Sequence, residues 1–81
     1  MYYTYILFSE KLDRYYIGST NNPGRRLERH NKGHSSYTRQ GIPWKMVYIE
    51  PYNTRSEAFA REQQIKNKKS RRYIEALLRK G

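Results

Sequence analysis

The sequence predicts an α+β domain whose strands and helices follow the order ββαβαα. Two stretches rich in β-branched and aromatic residues, 2–9 and 14–20, stand near the start, and a third covers 44–50. Each of the three segments predicted to be helical begins with a recognisable capping signal. One domain over 1–81 is expected, with a thin core, because a chain this short buries only about 60% of its surface.

The first two strands are predicted to pair as a hairpin, because only residues 10–13 separate them. If Ser9 pairs with Arg14, then Tyr5 and Tyr16 lie on the same face of the sheet as diagonal neighbours. Neither face of the hairpin is clearly polar. Both faces are therefore expected to be covered.

The first helix is predicted from Pro23 to about Asn31, with Asn22 as its cap. Leu27 is its single large aliphatic residue, so the helix is expected to be held lightly to the sheet and to display its cations. The segment 32–43, rich in glycine, serine and cations, is predicted to be a loop without structure of its own. Loops of that length are usually functional or mobile.

The third strand is predicted over 44–50 and is expected to stop at Pro51. Thr54 and Glu57 form a capping box, which marks the start of the second predicted helix. We expect that helix to run to about Lys69.

The second predicted helix has an apolar stripe formed by Ala58, Phe59 and Ile65. Glu62 stands in the middle of this stripe, and a carboxylate there needs an explanation because burying it unpaired is costly. Ser70 is predicted to cap a last helix with an ordinary core stripe. The members of that stripe are Tyr73, Ile74, Leu77 and Leu78.

The charge of the chain predicts a polyanionic partner. Seventeen Lys and Arg against seven Asp and Glu give a net charge of +10, spread along the whole length. A solubilising surface is the alternative, but it needs far less charge. Nucleic acid is favoured over an anionic membrane, because no strongly apolar helix face accompanies the cations. The chain has no cysteine, so no disulfide framework is expected. It also lacks a long apolar run and a signal-peptide pattern, so we expect no membrane span and a cytoplasmic location.

The strand-turn-helix segment 15–30 carries candidate chemistry at both ends. Its strand offers the Tyr16 phenol, and its helix offers Arg26 and His30, four residues apart and therefore on one face. Phosphodiester hydrolysis needs a base near the attacking water, a cation against developing charge, and a metal or acid for the leaving oxygen. The phenol, the two cationic groups and the Glu62 carboxylate supply these three kinds of group.

These residues resemble the GIY-YIG nucleases. That family carries two short motifs on the first two strands, an arginine on the first helix and a glutamate on a later helix. Here the second motif stands intact as Tyr16-Ile17-Gly18, while the first is the degenerate Tyr3-Thr4-Tyr5, which lacks the leading glycine but keeps the final tyrosine. Arg26 matches the helix arginine, His30 a frequent histidine or tyrosine one turn on, and Glu62 the glutamate.

The resemblance implies a three-stranded antiparallel sheet flanked by helices, with the first strand central. It also implies one divalent metal, Mg²⁺ ahead of Mn²⁺, held mainly by Glu62. In such a site Tyr16 helps to activate the water, Arg26 and His30 steady the phosphate, and Tyr5 orients the other groups.

The predicted function is metal-dependent endonuclease cleavage, with DNA ahead of RNA and selection by structure rather than sequence. A non-catalytic nucleic-acid-binding module and an accessory subunit stay open as alternatives, as do a protein partner and a dimer. The candidate residues also have structural interpretations: sheet packing for the tyrosines, an ion pair for Arg26 and Glu62, and a helix-end cation for His30. Nucleic-acid contacts are expected from Arg25, Arg29, Lys32, Tyr37, Arg39 and Lys66.

Overall fold

A computed structural model describes residues 1–80 of the protein, so that Gly81, the last residue of the predicted domain, lies outside the described residues. Three strands, β1 (Tyr2–Ser9), β2 (Arg14–Thr20) and β3 (Trp44–Tyr52), form an antiparallel sheet in the order β2-β1-β3. The predicted α+β class and the central first strand are confirmed, while the single-domain extent over 1–81 stays a prediction. The helices are α1 (Pro23–Asn31), α2 (Ser36–Arg39), α3 (Arg55–Lys68) and α4 (Arg71–Lys80).

The predicted hairpin register is confirmed. Ser9 pairs with Arg14, and Tyr5 pairs with Gly18. Because side chains alternate along a strand, shifting this register by one residue would move every buried side chain of a strand to the opposite face of the sheet. On its other side β1 pairs with β3. The edge strands of the sheet are therefore β2 and β3.

Both faces of the sheet are covered, as predicted. On one face, which we call the α1 face, Tyr5 and Leu7 are fully buried and Leu27 of α1 packs on them. On the opposite face, which we call the α3 face, Ile6 is fully buried beneath Ile65 of α3, and side chains of α4 complete the cluster. Central strand β1 thus has a hydrophobic core on each side.

The predicted helix starts are confirmed by their caps. The Asn22 side chain accepts a hydrogen bond from the Arg25 backbone N–H at 3.1 Å. The Thr54 hydroxyl accepts one from the backbone N–H of Glu57, whose carboxylate accepts one from the Thr54 backbone in return. Ser70 caps α4 in the same way. Each cap satisfies a backbone donor that the first turn of a helix leaves unpaired.

One position of the α3 stripe was predicted wrongly. Ala58 and Ile65 are buried against the sheet, but Phe59 is 53% exposed. Successive residues of a helix are rotated by about 100°, so the residue next to Ala58 points away from the face that Ala58 shares with Ile65.

Two predicted boundaries were also wrong. The predicted loop 32–43 contains the short helix α2, which is held by a contact distant in sequence: the Trp44 indole N–H donates to the Thr38 carbonyl at 2.7 Å. Strand β3 continues through Pro51 to Tyr52. Because β3 is an edge strand, the missing N–H of Pro51 is tolerated there.

A partly buried ion pair ties β3 to the helices of the α3 face. Arg61 of α3 donates to the Glu50 carboxylate at 2.9 Å and to the Tyr73 hydroxyl of α4 at 3.0 Å. None of the helices described over residues 1–80 is long and apolar enough to span a membrane.

Candidate active site

Three aromatic rings meet on the α1 face. The ring centroids of Tyr16 and His30 lie 4.8 Å apart in an edge-to-face arrangement, and those of Tyr16 and Tyr5 lie 6.4 Å apart. Tyr5 is fully buried, with its hydroxyl 3.2 Å from Nε2 of His30. Gly18 makes room for this hydroxyl, because a Cβ there would lie 2.5 Å from it. The predicted diagonal contact between Tyr5 and Tyr16 is thus present.

A hydrogen-bond chain leads from Tyr5 into α2. His30 is 6% exposed, and its Nδ1 lies 3.1 Å from the Thr38 hydroxyl, which is itself buried. The Thr38 carbonyl in turn accepts the Trp44 indole N–H. Both ring nitrogens of His30 therefore have partners within the protein, and its ring serves to connect Tyr5 with α2.

The pKa values of Tyr5 and His30 determine where the protons lie in this series of hydrogen bonds. Burial raises the pKa of Tyr5 to about 12, with Tyr16 adding to the rise and Arg26 opposing it. Burial, Arg26 and Arg29 all lower the pKa of His30, so its ring is neutral at pH 7. A protonated Tyr5 hydroxyl donates to Nε2, and we therefore assign the ring proton to Nδ1, which donates to Thr38.

Arg26 lies between two adjoining recesses beside β2. One recess, of about 100 Å³, is lined by Ser19 and Arg55 as well as Arg26. The other, of about 280 Å³, is lined by Tyr16, Arg26 and His30. We call the two together the β2 cleft. A bound anion in either part would lie near the Arg26 guanidinium.

Glu62 lies on the α3 face and is connected to the cleft through Ser19. It is 8% exposed, and its Oε1 accepts a hydrogen bond from the Ser19 hydroxyl at 2.7 Å. Its Oε2 accepts one from the Lys66 ammonium at 2.6 Å, so the ion-pair partner of this carboxylate is Lys66 rather than Arg26. The carboxylate in the apolar stripe is thus accounted for by two donors.

The edge position of β2 brings the two faces together. Side chains alternate along a strand, so Tyr16 and Gly18 point to the α1 face while Ser19 points to the α3 face. At an edge strand, groups on the two faces can approach one another around the margin of the sheet. In line with this proximity, the charge of Glu62 contributes to the raised pKa of Tyr5.

The side chains predicted to contact nucleic acid are all exposed, and three of them lie on or directly after α1. Within residues 1–80, the cations of α1 and α2 have no carboxylate partner within 4.0 Å. Tyr37 is 74% exposed, with its ring 6.0 Å from that of Tyr16. The exposed set is Arg25, Arg29, Lys32, Tyr37, Arg39 and Lys66.

Sequence reasoning missed two polar residues, Ser19 and Thr38. A signal for Ser19 was available, since the alternation that directs Gly18 to Tyr5 directs the next residue toward the helix that carries Glu62. Thr38 had no comparable signal, because its partners His30 and Trp44 come from separate elements.

The donor set around Glu62 fits a magnesium ion. Mg²⁺ keeps several waters and is commonly bound by one or two carboxylates together with substrate phosphates. Glu62 offers one carboxylate directly behind Ser19, which lines the cleft, and no three His, Cys, Asp or Glu side chains cluster anywhere in residues 1–80. Oε2 is held by Lys66, a helix i, i+4 pair in which the lysine side chain is 42% exposed and the carboxylate 11% exposed, so a metal ion would take the place of the Lys66 ammonium at this oxygen.

Comparison with known proteins identifies the family of this chain. The family described as "GIY-YIG catalytic domain" matches residues 1–74, and the chain belongs to it. Its relatives include UPF0213 proteins. Over 70 residues the chain is 40% identical to a UPF0213 protein from Bacillus licheniformis, and the match covers 82% of this chain and 72% of that protein. Over 67 residues the chain is 43% identical to a UPF0213 protein from Clostridium perfringens, and the match covers 82% of this chain and 71% of that protein.

A solved structure supports the same assignment. The solution NMR structure of a UPF0213 protein from Bacillus halodurans aligns with a TM-score of 0.59 and 32% identity, covering 96% of this chain and 83% of that one.

Proposed function

We propose that the protein is a divalent-metal-dependent endonuclease that hydrolyses phosphodiester bonds in DNA and selects its substrate by structure. One observation carries the proposal: a buried carboxylate, Glu62, is held by Ser19 at the same edge strand that presents Tyr16 to a cleft lined by Arg26. Membership of a family described as a catalytic domain supports it.

Tyr16 and Arg26 are the groups proposed to act on the reacting phosphate. Both line the same recess of the β2 cleft. As the phenolate, Tyr16 takes the proton of the attacking water and becomes the neutral phenol, a role worth about 10²-fold to 10⁴-fold in rate. The Arg26 guanidinium lies where negative charge builds up on the phosphate oxygens, and it stabilises that charge without having to move.

Tyr5 and His30 are proposed to act as positioning residues. Tyr5 keeps its proton at neutral pH, because its pKa is raised to about 12. It therefore serves as a hydrogen-bond donor, not as a base. Through His30 its hydroxyl is fixed to Thr38, so the packing partners of Tyr16 are held in one arrangement.

Mg²⁺ is the metal we propose, with Mn²⁺ as a substitute, and Glu62 would hold it. When bound, such an ion supplies Lewis-acid polarisation of the phosphoryl group and neutralises developing charge. Ser19 fixes the orientation of the carboxylate, since its hydroxyl occupies Oε1 at 2.7 Å. Oε2, which contacts only the half-exposed Lys66, is the more available oxygen.

Cleavage assays test this proposal. Purified protein is incubated with end-labelled DNA and RNA of single-stranded, duplex, flap and branched form, with Mg²⁺, with Mn²⁺ or with EDTA. We expect cleavage of at least one DNA form with metal and none with EDTA. Glu62→Gln keeps the side-chain volume but removes the charge that a hard cation needs, so its rate falls at least about 100-fold while DNA binding persists.

Glu75→Gln is the matched control. Glu75 lies on α4, where it pairs with Arg71 at 3.0 Å, away from the β2 cleft. This variant should cleave like the wild type. Binding without cleavage of any substrate would instead identify a non-catalytic nucleic-acid-binding module. Metal-dependent cleavage that survives in Glu62→Gln would contradict the role of the carboxylate.

A further inference from the structure

A third recess adjoins the β2 cleft on the far side of Tyr16. It has a volume of about 280 Å³, and Tyr16 lines both this recess and the neighbouring part of the cleft. Aromatic rings and polar side chains share its walls. The residues that matter here are Tyr16, Tyr37, Trp44, Arg14, Ser36 and Gln40. We call this site the Tyr37 recess.

Tyr37 is the most exposed of these aromatic side chains, yet its support is rigid. Tyr37 is 74% exposed, whereas the next residue, Thr38, is 1% exposed and hydrogen-bonded to both His30 and Trp44. The ring therefore projects from a fixed backbone, and a ligand that packs on it does not have to order a loop. The low ordering cost favours binding.

The chemistry of the Tyr37 recess matches a nucleobase. Proteins hold unpaired bases by stacking them on aromatic rings and by hydrogen bonding to their edges. Tyr37 offers such a ring, and Ser36 and Gln40 offer hydroxyl and amide groups for base edges. Arg14, which has no carboxylate partner within 4.0 Å in residues 1–80, provides a cation for the adjoining phosphate.

The size of the recess limits what it can hold. Cavities for drug-sized molecules begin at about 300 Å³, so a recess of about 280 Å³ suits one base better than two stacked bases. A base within a duplex would have to leave its stack to enter, at a cost of a few kcal/mol, whereas an unpaired base has no such cost.

We propose that the Tyr37 recess binds one unpaired nucleobase next to the phosphate that lies in the β2 cleft. This inference rests on the proposed function and deepens it by naming the substrate class: DNA with an unpaired nucleotide beside the scissile bond. The connection is Tyr16, which is shared between the two sites.

Binding measured without metal tests the recess separately from cleavage. A single-stranded thymine oligonucleotide is compared with an abasic oligonucleotide of the same length and charge, in EDTA at fixed salt. The wild type should bind the base-bearing strand about tenfold more tightly, since stacking on one aromatic ring contributes about that much. Tyr37→Ala should bring this ratio close to one, and Tyr37→Phe, which keeps the ring, should preserve it.

Phe59→Ala is the matched control, because Phe59 is also an exposed aromatic residue, at 53%, but lies on α3 outside the recess. Its ratio should equal that of the wild type. Equal binding of both strands by the wild type, or an equal loss for both strands in Tyr37→Ala, would overturn the inference. If the wild type prefers the base-bearing strand but cleaves no substrate, the recess is supported and the proposed nuclease function is contradicted. If it cleaves DNA but binds both strands equally, the nuclease function is supported and the recess is contradicted.

Discussion

The pair Tyr5 and His30 illustrates how burial determines the chemical role of a side chain. On the sequence alone, His30 looked like a cation that could steady a phosphate. In the structure its ring is buried, its pKa is lowered, and both nitrogens are used by Tyr5 and Thr38. A neutral ring with two internal partners suits positioning rather than charge stabilisation.

The lowered pKa of His30 predicts a loss of stability in mild acid. Above about pH 6.5 this histidine is neutral both in the folded and in the unfolded chain, so it contributes no pH dependence. As the pH falls below that value, the unfolded chain takes up a proton that the folded protein refuses, and the free energy of unfolding drops by up to about 1.4 kcal/mol per pH unit. Urea unfolding between pH 7.5 and 5.5 measures this drop.

His30→Gln should remove most of this pH dependence, whatever it does to stability at pH 7.5. His34 gives the matched control, because it is an exposed histidine on the same side of the molecule. His34→Gln should retain the wild-type dependence. The same slope in all three proteins would mean that His30 binds protons equally in the folded and unfolded states, which would contradict the lowered pKa of His30.

At the scale of elements, short-range patterns predicted more than long-range contacts did. The hairpin register followed from alternation, and the helix starts followed from Asn22 and Thr54, because these signals involve residues close in sequence. Helix α2 did not follow, since it depends on Trp44 reaching back to Thr38. Phe59 was misplaced because an apolar residue next to a stripe is easily counted as part of it.

The contact between β1 and β2 at Gly18 gives a prediction about stability. A Cβ at position 18 would lie 2.5 Å from the hydroxyl oxygen and 2.6 Å from Cζ of Tyr5. That ring cannot move aside, because it is fully buried and hydrogen-bonded to His30. Gly18→Ala should therefore destabilise the protein by about 1–3 kcal/mol in urea unfolding, the usual effect of overpacking.

Gly24→Ala is its control. A Cβ at Gly24, in the first turn of α1, would meet only the Asn22 side chain at 3.8 Å. Alanine also favours the helix by up to about 1 kcal/mol over glycine, so this variant should be as stable as the wild type or slightly more stable. If Gly18→Ala were equally stable, the packing of Tyr5 would be looser than the structure indicates.

For the whole molecule, the candidate site was predictable in part. Tyr16, Arg26 and Glu62 were proposed from motif and periodicity; the structure places Tyr16 and Arg26 in one recess and joins Glu62 to Ser19 of the same edge strand. Ser19 could have been found from alternation. The edge position of β2 was implied by the family resemblance, which makes the first strand central, but the contact of Glu62 with this edge through Ser19 was not, because it depends on how α3 packs on the sheet.

The distribution of ion pairs shows where the excess charge is available. Five ion pairs occur in residues 1–80, and they engage only four of the seventeen Lys and Arg side chains. The paired cations lie on β3, α3 and α4, while those of α1 and α2 beside the β2 cleft are unpaired in the same set. Binding of a polyanion at the cleft would therefore break few existing contacts.

Affinity for DNA should consequently fall steeply as salt rises. Each phosphate neutralised by a cation releases counterions, which contributes about −0.9 to the log-log slope for duplex and about −0.7 for single strands. Replacing Arg29 of α1 with Gln should make the slope shallower by about one such contribution and weaken binding to all sequences alike, because a phosphate contact carries no base information.

Lys45→Gln is the control, since Lys45 is an exposed cation on β3 that already pairs with Glu10. Its slope should match the wild type in fluorescence-anisotropy titrations from low to physiological salt. A flat salt dependence of the wild type would contradict the polyanion interpretation, and equal effects of the two variants would contradict the assignment of the contact surface to α1.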